Sequence, residues 1–422
     1  MTRSGVALWN SQAHMPSAQR DRLTLVSGEG AWVTADDGRR LLDATASLWH
    51  ANIGHGRPEL ADAAYRQMRT LETYHAFGRF ANEPALRLSE RLADLVPLPD
   101  AKIFFTSGGS DSVDAACKLA RVHWQLHGRP DKKTIVSRER AYHGLHAFGT
   151  SVGGLQHNRS GYGTDSLVPE TARISYDDLT AAIATMQRVG TENIAAIISE
   201  PVIGTGGVHG PAPGYLEGLQ AFANANDILF VVDEVITGFG RTGEMFASDR
   251  WRLEPDMLIM AKGVTSGYAP LGALAVTGPI AEQFFVGDDA PVFRHGLTYS
   301  GHATACVVAE ANLDIIEQEA LIKRAAKLEE LLVADLATLV SDPRVREVRA
   351  GFGFLAGVQL DQRVDGAAVV ERCLDHDRGV ILRLLDGNTL QISPPLVLTD
   401  DEVAHIGHTI EEALDAVNPV GA

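Results

Sequence analysis

Lysine and cysteine are both scarce in this sequence, and each shortage narrows its chemistry. Of 422 residues only seven are lysine, against thirty arginine, and between Lys133 and Lys323 the single lysine is Lys262. The three cysteines, Cys117, Cys306 and Cys373, lie far apart and form no CxxC pair. That spacing argues against a zinc site or a dithiol redox motif, suits a reducing cytosol, and leaves no metal centre expected. No apolar run approaches the roughly 18–20 residues that cross a bilayer. The amino-terminal stretch has no apolar core behind its arginine, so a cytoplasmic location is expected. Basic residues are in deficit: 37 against 54 acidic ones leave a formal charge of −17. Over most of the surface such a field repels nucleic-acid phosphates and anionic lipid, and neither is expected as a partner. Fixed-period repeats and low-complexity tracts are also missing, which removes solenoid and linker-built architectures.

What remains is an ordinary globular composition, 45% hydrophobic and 22% charged, in a chain long enough for two or three domains. Residues 1–58 contain short turn-separated runs, with ADDG in AWVTADDGRRLLDATA marking a hairpin. From about residue 59 apolar residues recur at helical spacing, in ELADAAYRQMRTLE and EPALRLSERLADLV. Then short apolar runs alternate with helical stretches: IFF at 103–105, TIVS at 134–137, IAAIIS at 194–199, ILFVV at 228–232, MLIM at 257–260 and GALAVT at 272–277. This alternation predicts an α/β fold whose large domain is a mostly parallel sheet covered by helices. After about residue 305 one long helical pattern leads to strands near FGFLAGVQL, GVILRLL and NTLQIS and a closing helix from Asp400, which reads as a smaller α+β domain.

Ligands of open α/β sheets bind beyond the carboxyl ends of the strands, so the residues that end each run are the candidates. Thr106-Ser107-Gly108-Gly109-Ser110 follows the first run, Glu200 follows IAAIIS, Asp233 and Glu234 follow ILFVV, and Lys262 follows MLIM. Gly109 and Ser110 open an amphipathic helix, where free amides and the helix dipole favour a phosphate, although the segment lacks the GK[ST] of a Walker loop. An ordinary serine cap explains that segment equally well taken alone. A desolvated lysine beside glycines is competent to form a Schiff base. A phosphate anchor, an aspartate for a pyridinium nitrogen and such a lysine are together what pyridoxal phosphate requires.

Seven motifs, SGGSDSVDAACKLAR, AYHG, ISEPVIGTGG, VVDEVITGFGRTG, MAKGVTSGYAPLGA, HGLTYSGHATAC and ISPPLVLT, occur in an order that resembles the class III aminotransferases among the fold-type-I pyridoxal-phosphate enzymes. The resemblance runs from about Trp32 to the carboxyl terminus. It implies a large cofactor-binding domain over residues 59–320, a small domain over 321–422, and a segment 1–58 packed with the small domain. By the same resemblance Lys262 is the cofactor-linking lysine and proton carrier, Asp233 holds the pyridine nitrogen protonated, and Val235 and Tyr142 flank the ring. Gly109 and Ser110 hold the phosphate, and Thr298 reaches the phosphate of a neighbouring subunit, implying a homodimer with active sites at its interface, or a dimer of dimers. His143 is a further cofactor candidate, for which simple packing in a turn is the preferred reading, and Glu200 is a supporting rather than a catalytic group. Gly238, Gly240 and Gly243 have GxGxxG spacing, but they start five residues beyond their strand with no suitable βαβ unit, so a dinucleotide fold is rejected.

Within the family, members acting on ornithine, acetylornithine or 4-aminobutyrate usually carry an arginine where this chain has Gln391. Arg383 instead matches the mobile arginine of amine:pyruvate and β-alanine:pyruvate members, whose guanidinium clamps a keto-acid carboxylate. Trp49 resembles a substrate-pocket tryptophan of ω-transaminases, and Tyr74 and Phe77 lie in a stretch that supplies aromatic walls. The implied activity is ping-pong transamination from an amine or ω-amino acid to a keto acid, with pyruvate the expected acceptor. An aminomutase of the glutamate-1-semialdehyde type or a pyridoxal-phosphate lyase would use the same lysine and aspartate.

Overall fold

A computed structural model of the chain describes residues 6–161, 163, 166–376 and 378–417. The amino-terminal runs form β1 (Leu25–Glu29), β2 (Trp32–Ala35) and β3 (Arg40–Asp43). Gly38 takes a positive φ of 88° in the ADDG turn between β2 and β3, a conformation glycine adopts without steric cost. The strands that follow are β4 (Lys102–Thr106), β5 (Thr134–Arg138), β6 (Thr171–Ile174), β7 (Ile194–Ser199), β8 (Leu229–Asp233), β9 (Met257–Met260) and β10 (Gly272–Val276), all but β6 built on the six apolar runs. The carboxyl-terminal strands are β11 (Val345–Arg349), β12 (Ala356–Leu360), β13 (Val380–Ile381), β14 (Arg383–Leu385) and β15 (Thr389–Ile392).

The central sheet has the order β4-β10-β9-β8-β7-β5-β6. Strands β5 to β9 pair in parallel, while β10 runs antiparallel to both β4 and β9. Every residue of β7, β8 and β9 is buried, which explains their continuous rather than alternating apolar character. One face packs under the helix Gly109–Leu126 through Val113, Ala116 and Leu119. Against the other lie the helices Leu179–Val189 and Tyr215–Ala225, through Met186, Leu216 and Leu219. Each fully buried aliphatic side chain contributes about 1.5–3 kcal/mol, so this sheet is the rigid platform of the molecule.

Three features depart from the sequence reading. The half-polar edge strand β6 and the strand β11 carry too weak an apolar signal to be picked out. The long pattern after residue 305 is two helices, Ala303–Gln318 and Leu321–Asp335, broken where Ala320 adopts φ 51°. GVILRLL is not one strand either: β13 pairs in parallel with β3, whereas β14 pairs with β15 in a sheet of order β11-β12-β15-β14. Leu382 is thus the crossing point between two sheets, and the amino-terminal hairpin is tied to the carboxyl-terminal region through β13. The closing helix, Asp400–Ala416, carries a capping box made by Thr399 and Glu402. Beyond β8 the chain enters turns instead of a helix, with Gly240 and Gly243 both at positive φ, so the GxGxxG spacing is unrelated to a dinucleotide turn. Among the described residues no helix is long and apolar enough to cross a membrane.

Candidate active site

The carboxyl ends of β7, β8 and β9 and the mouth of the helix Gly109–Leu126 meet around a cavity of about 220 Å³. Lys262, Asp233, Glu200, Tyr142, His143, Val235, Gly109 and Ser110 all line it, so residues drawn from five separate motifs are neighbours in space. Lys262 sits two residues beyond the end of β9, with φ 45°, an uncommon conformation for a residue with a side chain. Gly263 beside it is required by space, because a Cβ there would come within 2.7 Å of Asn52 Nδ2.

Asp233 is 4% exposed and ends β8. Its Oδ1 accepts the Val235 backbone N–H at 3.1 Å, and its Oδ2 accepts His143 Nδ1–H at 2.8 Å. A carboxylate only accepts, so His143 carries a proton on Nδ1, while Nε2 is buried and without a partner among the described residues. His143 therefore does more than the turn packing expected of it: it orients Asp233. Glu200 accepts the backbone N–H of Tyr142 at 2.9 Å through Oε1 and that of Gly204 at 3.0 Å through Oε2, which fixes the Tyr142 turn. Burial raises the Glu200 carboxyl above the usual range.

Burial also pushes the Lys262 ammonium down to about 8, against the raising effect of the Asp233 and Glu200 carboxylates and with a further lowering by Arg383. The free-amine fraction of Lys262 thus grows as pH rises through about 8 rather than through the ordinary lysine range. With the cofactor stripped, the rate at which the protein recaptures pyridoxal phosphate, followed by its visible absorption, should climb roughly tenfold per pH unit below that point and level off above it. A rate still climbing at pH 10 would mean that Lys262 keeps an ordinary pKa.

The residues fit pyridoxal phosphate. The first-turn amides of the helix Gly109–Leu126 have no acceptor within the helix and face an anion favourably. At Gly144, with φ 84°, a Cβ would lie 2.2 Å from Ser110 Oγ, so the AYHG turn can approach the helix mouth only as glycine. A Cβ on Gly109 would lie 3.0 Å from both Val235 methyls, placing the valine side chain directly over the helix start. Asp233 and Lys262 face the same space as this cradle.

Other predicted residues are elsewhere. Arg383 is half-buried on β14, near enough to Tyr142 and Lys262 to influence the ionisation of both, and among the described residues its guanidinium has no ion pair or hydrogen bond. Gln391 faces it across the β14–β15 pair, fully buried, with Nε2 donating to Ser393 Oγ at 2.9 Å and Oε1 without a partner among the described residues. Trp49 is 2% exposed and packs with Val202, Val208, Ile236, Leu355 and Leu385. The cavity wall is formed instead by Leu48, because the backbone reverses between the two residues. Thr298, Tyr74 and Phe77 are exposed and do not line the lysine cavity of this chain; the two aromatic residues belong to a cluster in which Tyr74 stacks on His75 and Phe80 packs edge-on. Leu48 and Gly144 were missed. A glycine ending AYHG was the available signal for the second, and nothing in the pattern distinguishes Leu48 from its neighbours.

A cofactor cradle at the carboxyl ends of a mixed α/β sheet places the chain among fold-type-I pyridoxal-phosphate transferases. Residues 15–414 match the model of the aminotransferase class-III family, and the chain belongs to that family. It is 36% identical over 419 residues to an omega-aminotransferase of Caulobacter vibrioides, covering 93% of this chain and 94% of the relative. A putrescine–pyruvate aminotransferase of Pseudomonas aeruginosa is 35% identical over 415 residues, covering 93% and 90%. Among solved structures, an (S)-enantioselective omega-transaminase from Thermomicrobium roseum superposes with a TM-score of 0.91 at 37% identity, covering 96% of each chain. The protein is a pyridoxal-phosphate-dependent aminotransferase, an enzyme that moves an amino group from an amine donor to a keto acid.

Proposed function

We propose that this enzyme is a cytoplasmic ω-transaminase that takes amino groups from apolar or aryl amines and delivers them to pyruvate, in a ping-pong sequence at a site built around Lys262. The observation that carries the acceptor assignment is Arg383, a half-buried guanidinium beside the cavity with no anionic partner among the described residues. Its planar fork matches one carboxylate through two parallel hydrogen bonds. The neutral Gln391 opposite it supplies no second cation for a dicarboxylic acceptor. Pyruvate is also the acceptor in the names of two relatives, the putrescine–pyruvate enzyme and a β-alanine–pyruvate aminotransferase of Pseudomonas aeruginosa.

Pyridoxal phosphate supplies an electron sink for the pair of electrons left on the donor carbon when its proton departs. The chain's residues do the rest in this reading. Gly109 and Ser110 would hold the phosphate, Val235 and Tyr142 would flank the ring, and Asp233, held by His143, would keep a proton on the ring nitrogen. Lys262 carries the proton from the donor carbon, and its depressed pKa suits that work near neutral pH. Trp49 backs the Ile236 side of the cavity, and Leu48 forms the wall.

The exposed Thr298, Tyr74 and Phe77 fit a homodimer in which each copy completes its partner's site, alone or paired into a dimer of dimers. The division into a large domain over residues 59–320, a small one over 321–422 and an amino-terminal segment joined to the latter is supported by the three separate sheets and by the β3–β13 pairing.

The test is spectroscopic. Purified protein should show a visible band that 1-phenylethylamine bleaches and pyruvate restores; a protein that needs 2-oxoglutarate for restoration would overturn the acceptor assignment. Arg383→Gln should raise the KM for pyruvate by about 30-fold or more, the loss expected for a charge-assisted pair, while bleaching by the amine changes little. Equal loss in both half-reactions would place Arg383 outside acceptor recognition.

A further inference from the structure

The segment that follows β3 is bent against its own preferences. Ala46, Ser47 and Trp49 have φ of 46°, 57° and 67°, and Ser47 combines its φ with ψ −95°, a region that residues with a Cβ avoid. Such a conformation persists only where its surroundings over-determine it. Ser393 donates to the Ala44 and Thr45 carbonyls on one side of the bend, and the backbone N–H groups of Trp49 and His50 close it on the other; the Thr45 and Ser47 N–H groups are taken by one carboxylate. Asp43, 2% exposed at the end of β3, accepts Thr45 N–H at 3.0 Å and Thr45 Oγ–H at 2.9 Å through Oδ1, and Ser47 N–H at 2.6 Å through Oδ2. His55 Nε2 lies 2.9 Å from the same Oδ2.

We propose that Asp43 is a positioning residue for donor selectivity: its hydrogen bonds to Thr45 and Ser47 hold Ala46–Trp49 in the bent conformation that sets Leu48 on the wall of the Lys262 cavity. The cavity shows the consequence of the bend. Leu48 faces it together with Lys262 and Asp233, while the next residue, Trp49, turns into the cluster containing Ile236, itself a cavity residue. Two successive side chains therefore shape the space beside the lysine, one directly and one from behind. Asp43 is also tied to the chain beyond β8. Buried Arg241 donates to Asn52 Oδ1 at 3.1 Å and to the carbonyls of Phe354 and Pro394; burial lowers its guanidinium to about 9, and the Asp43 carboxylate counters only part of that.

The inference rests on the Lys262 cavity being the reaction site, and the two can fail separately. If Lys262→Ala still bleached with amines, the site assignment would fall; the donor comparison described next addresses Asp43 alone. Holoenzyme of Asp43→Asn, the double variant Asp43→Asn with Ser47→Gly, and Leu48→Ala are compared by single-turnover bleaching with 1-phenylethylamine and with its small counterpart 2-aminopropane. Asp43→Asn should weaken saturation by the aryl amine about tenfold or more, the scale of losing apolar contacts in a pocket, and change that by 2-aminopropane by less than about threefold. Glycine at position 47 tolerates the bend without help, so the double variant should recover most of the aryl affinity. Leu48→Ala, with Asp43 intact and a half-exposed side chain removed, should reproduce the donor shift.

A readout without turnover is the near-ultraviolet circular dichroism of cofactor-free protein, to which buried Trp49 contributes as one of five tryptophans; with Trp49→Phe as the reference, the Trp49 contribution should change in Asp43→Asn and return in the double variant. Equal weakening of both donors in Asp43→Asn, no recovery with Ser47→Gly, or an unchanged donor ratio in Leu48→Ala would each overturn the proposal. If Asp43→Asn alone does not fold, the double variant and Leu48→Ala decide.

Discussion

Replacing Lys262 with alanine should lower transamination by on the order of 10⁴-fold or more and erase the visible absorption of the bound cofactor, with the chain still folded. The scarcity of lysine makes this expectation strong. The other six lysines, at positions 102, 118, 132, 133, 323 and 327, do not line the cavity, so no second amine is available to take over. The Lys262 amine makes no hydrogen bond among the described residues, and its loss removes a partly desolvated charge from the cavity without orphaning a structural partner. Thermal unfolding of the variant should therefore stay near that of the parent. Added methylamine, which restores a small amine to the emptied space, should recover part of the activity. A variant that kept more than about a hundredth of the parent rate would show that another group moves the proton.

The residues that ended each apolar run were legible because buried parallel strands are continuous in hydrophobicity and their carboxyl ends are where ligands bind. Lys262, Asp233 and the helix mouth at Gly109 all follow from that rule. His143 was legible as a residue but not in its role, because its contact with Asp233 joins positions 90 apart in sequence and depends on how the AYHG turn folds over β8. Leu48 and Trp49 exchanged places for a related reason: the positive φ values between β3 and His50 follow from an aspartate accepting backbone N–H groups, and no periodicity in ASLW reports it. The split of GVILRLL between two sheets was equally hidden, since a strand pattern does not say which neighbour its two halves will pair with.

Asp233→Asn should produce the second large effect, and its signature should differ from that of the lysine variant. The carboxyl group is buried, takes an N–H from His143 at 2.8 Å, and lines the cavity. An amide of the same shape keeps an acceptor for His143 but cannot stabilise a proton on a ring nitrogen by charge. Removing one member of a buried charged pair costs about 3–5 kcal/mol, which corresponds to a fall in turnover of ~10²- to 10⁴-fold. Lys262 remains, so the variant should still capture the cofactor and show visible absorption, though it turns over slowly. Its pH behaviour supplies the decisive reading. Asp233 is one of the groups that raise the Lys262 pKa, so its neutral replacement should move the midpoint of cofactor capture below about 8. A midpoint that stayed in place, or moved upward, would show that the Asp233 charge does not reach the lysine, and the assignment of the two residues to one site would fail with it.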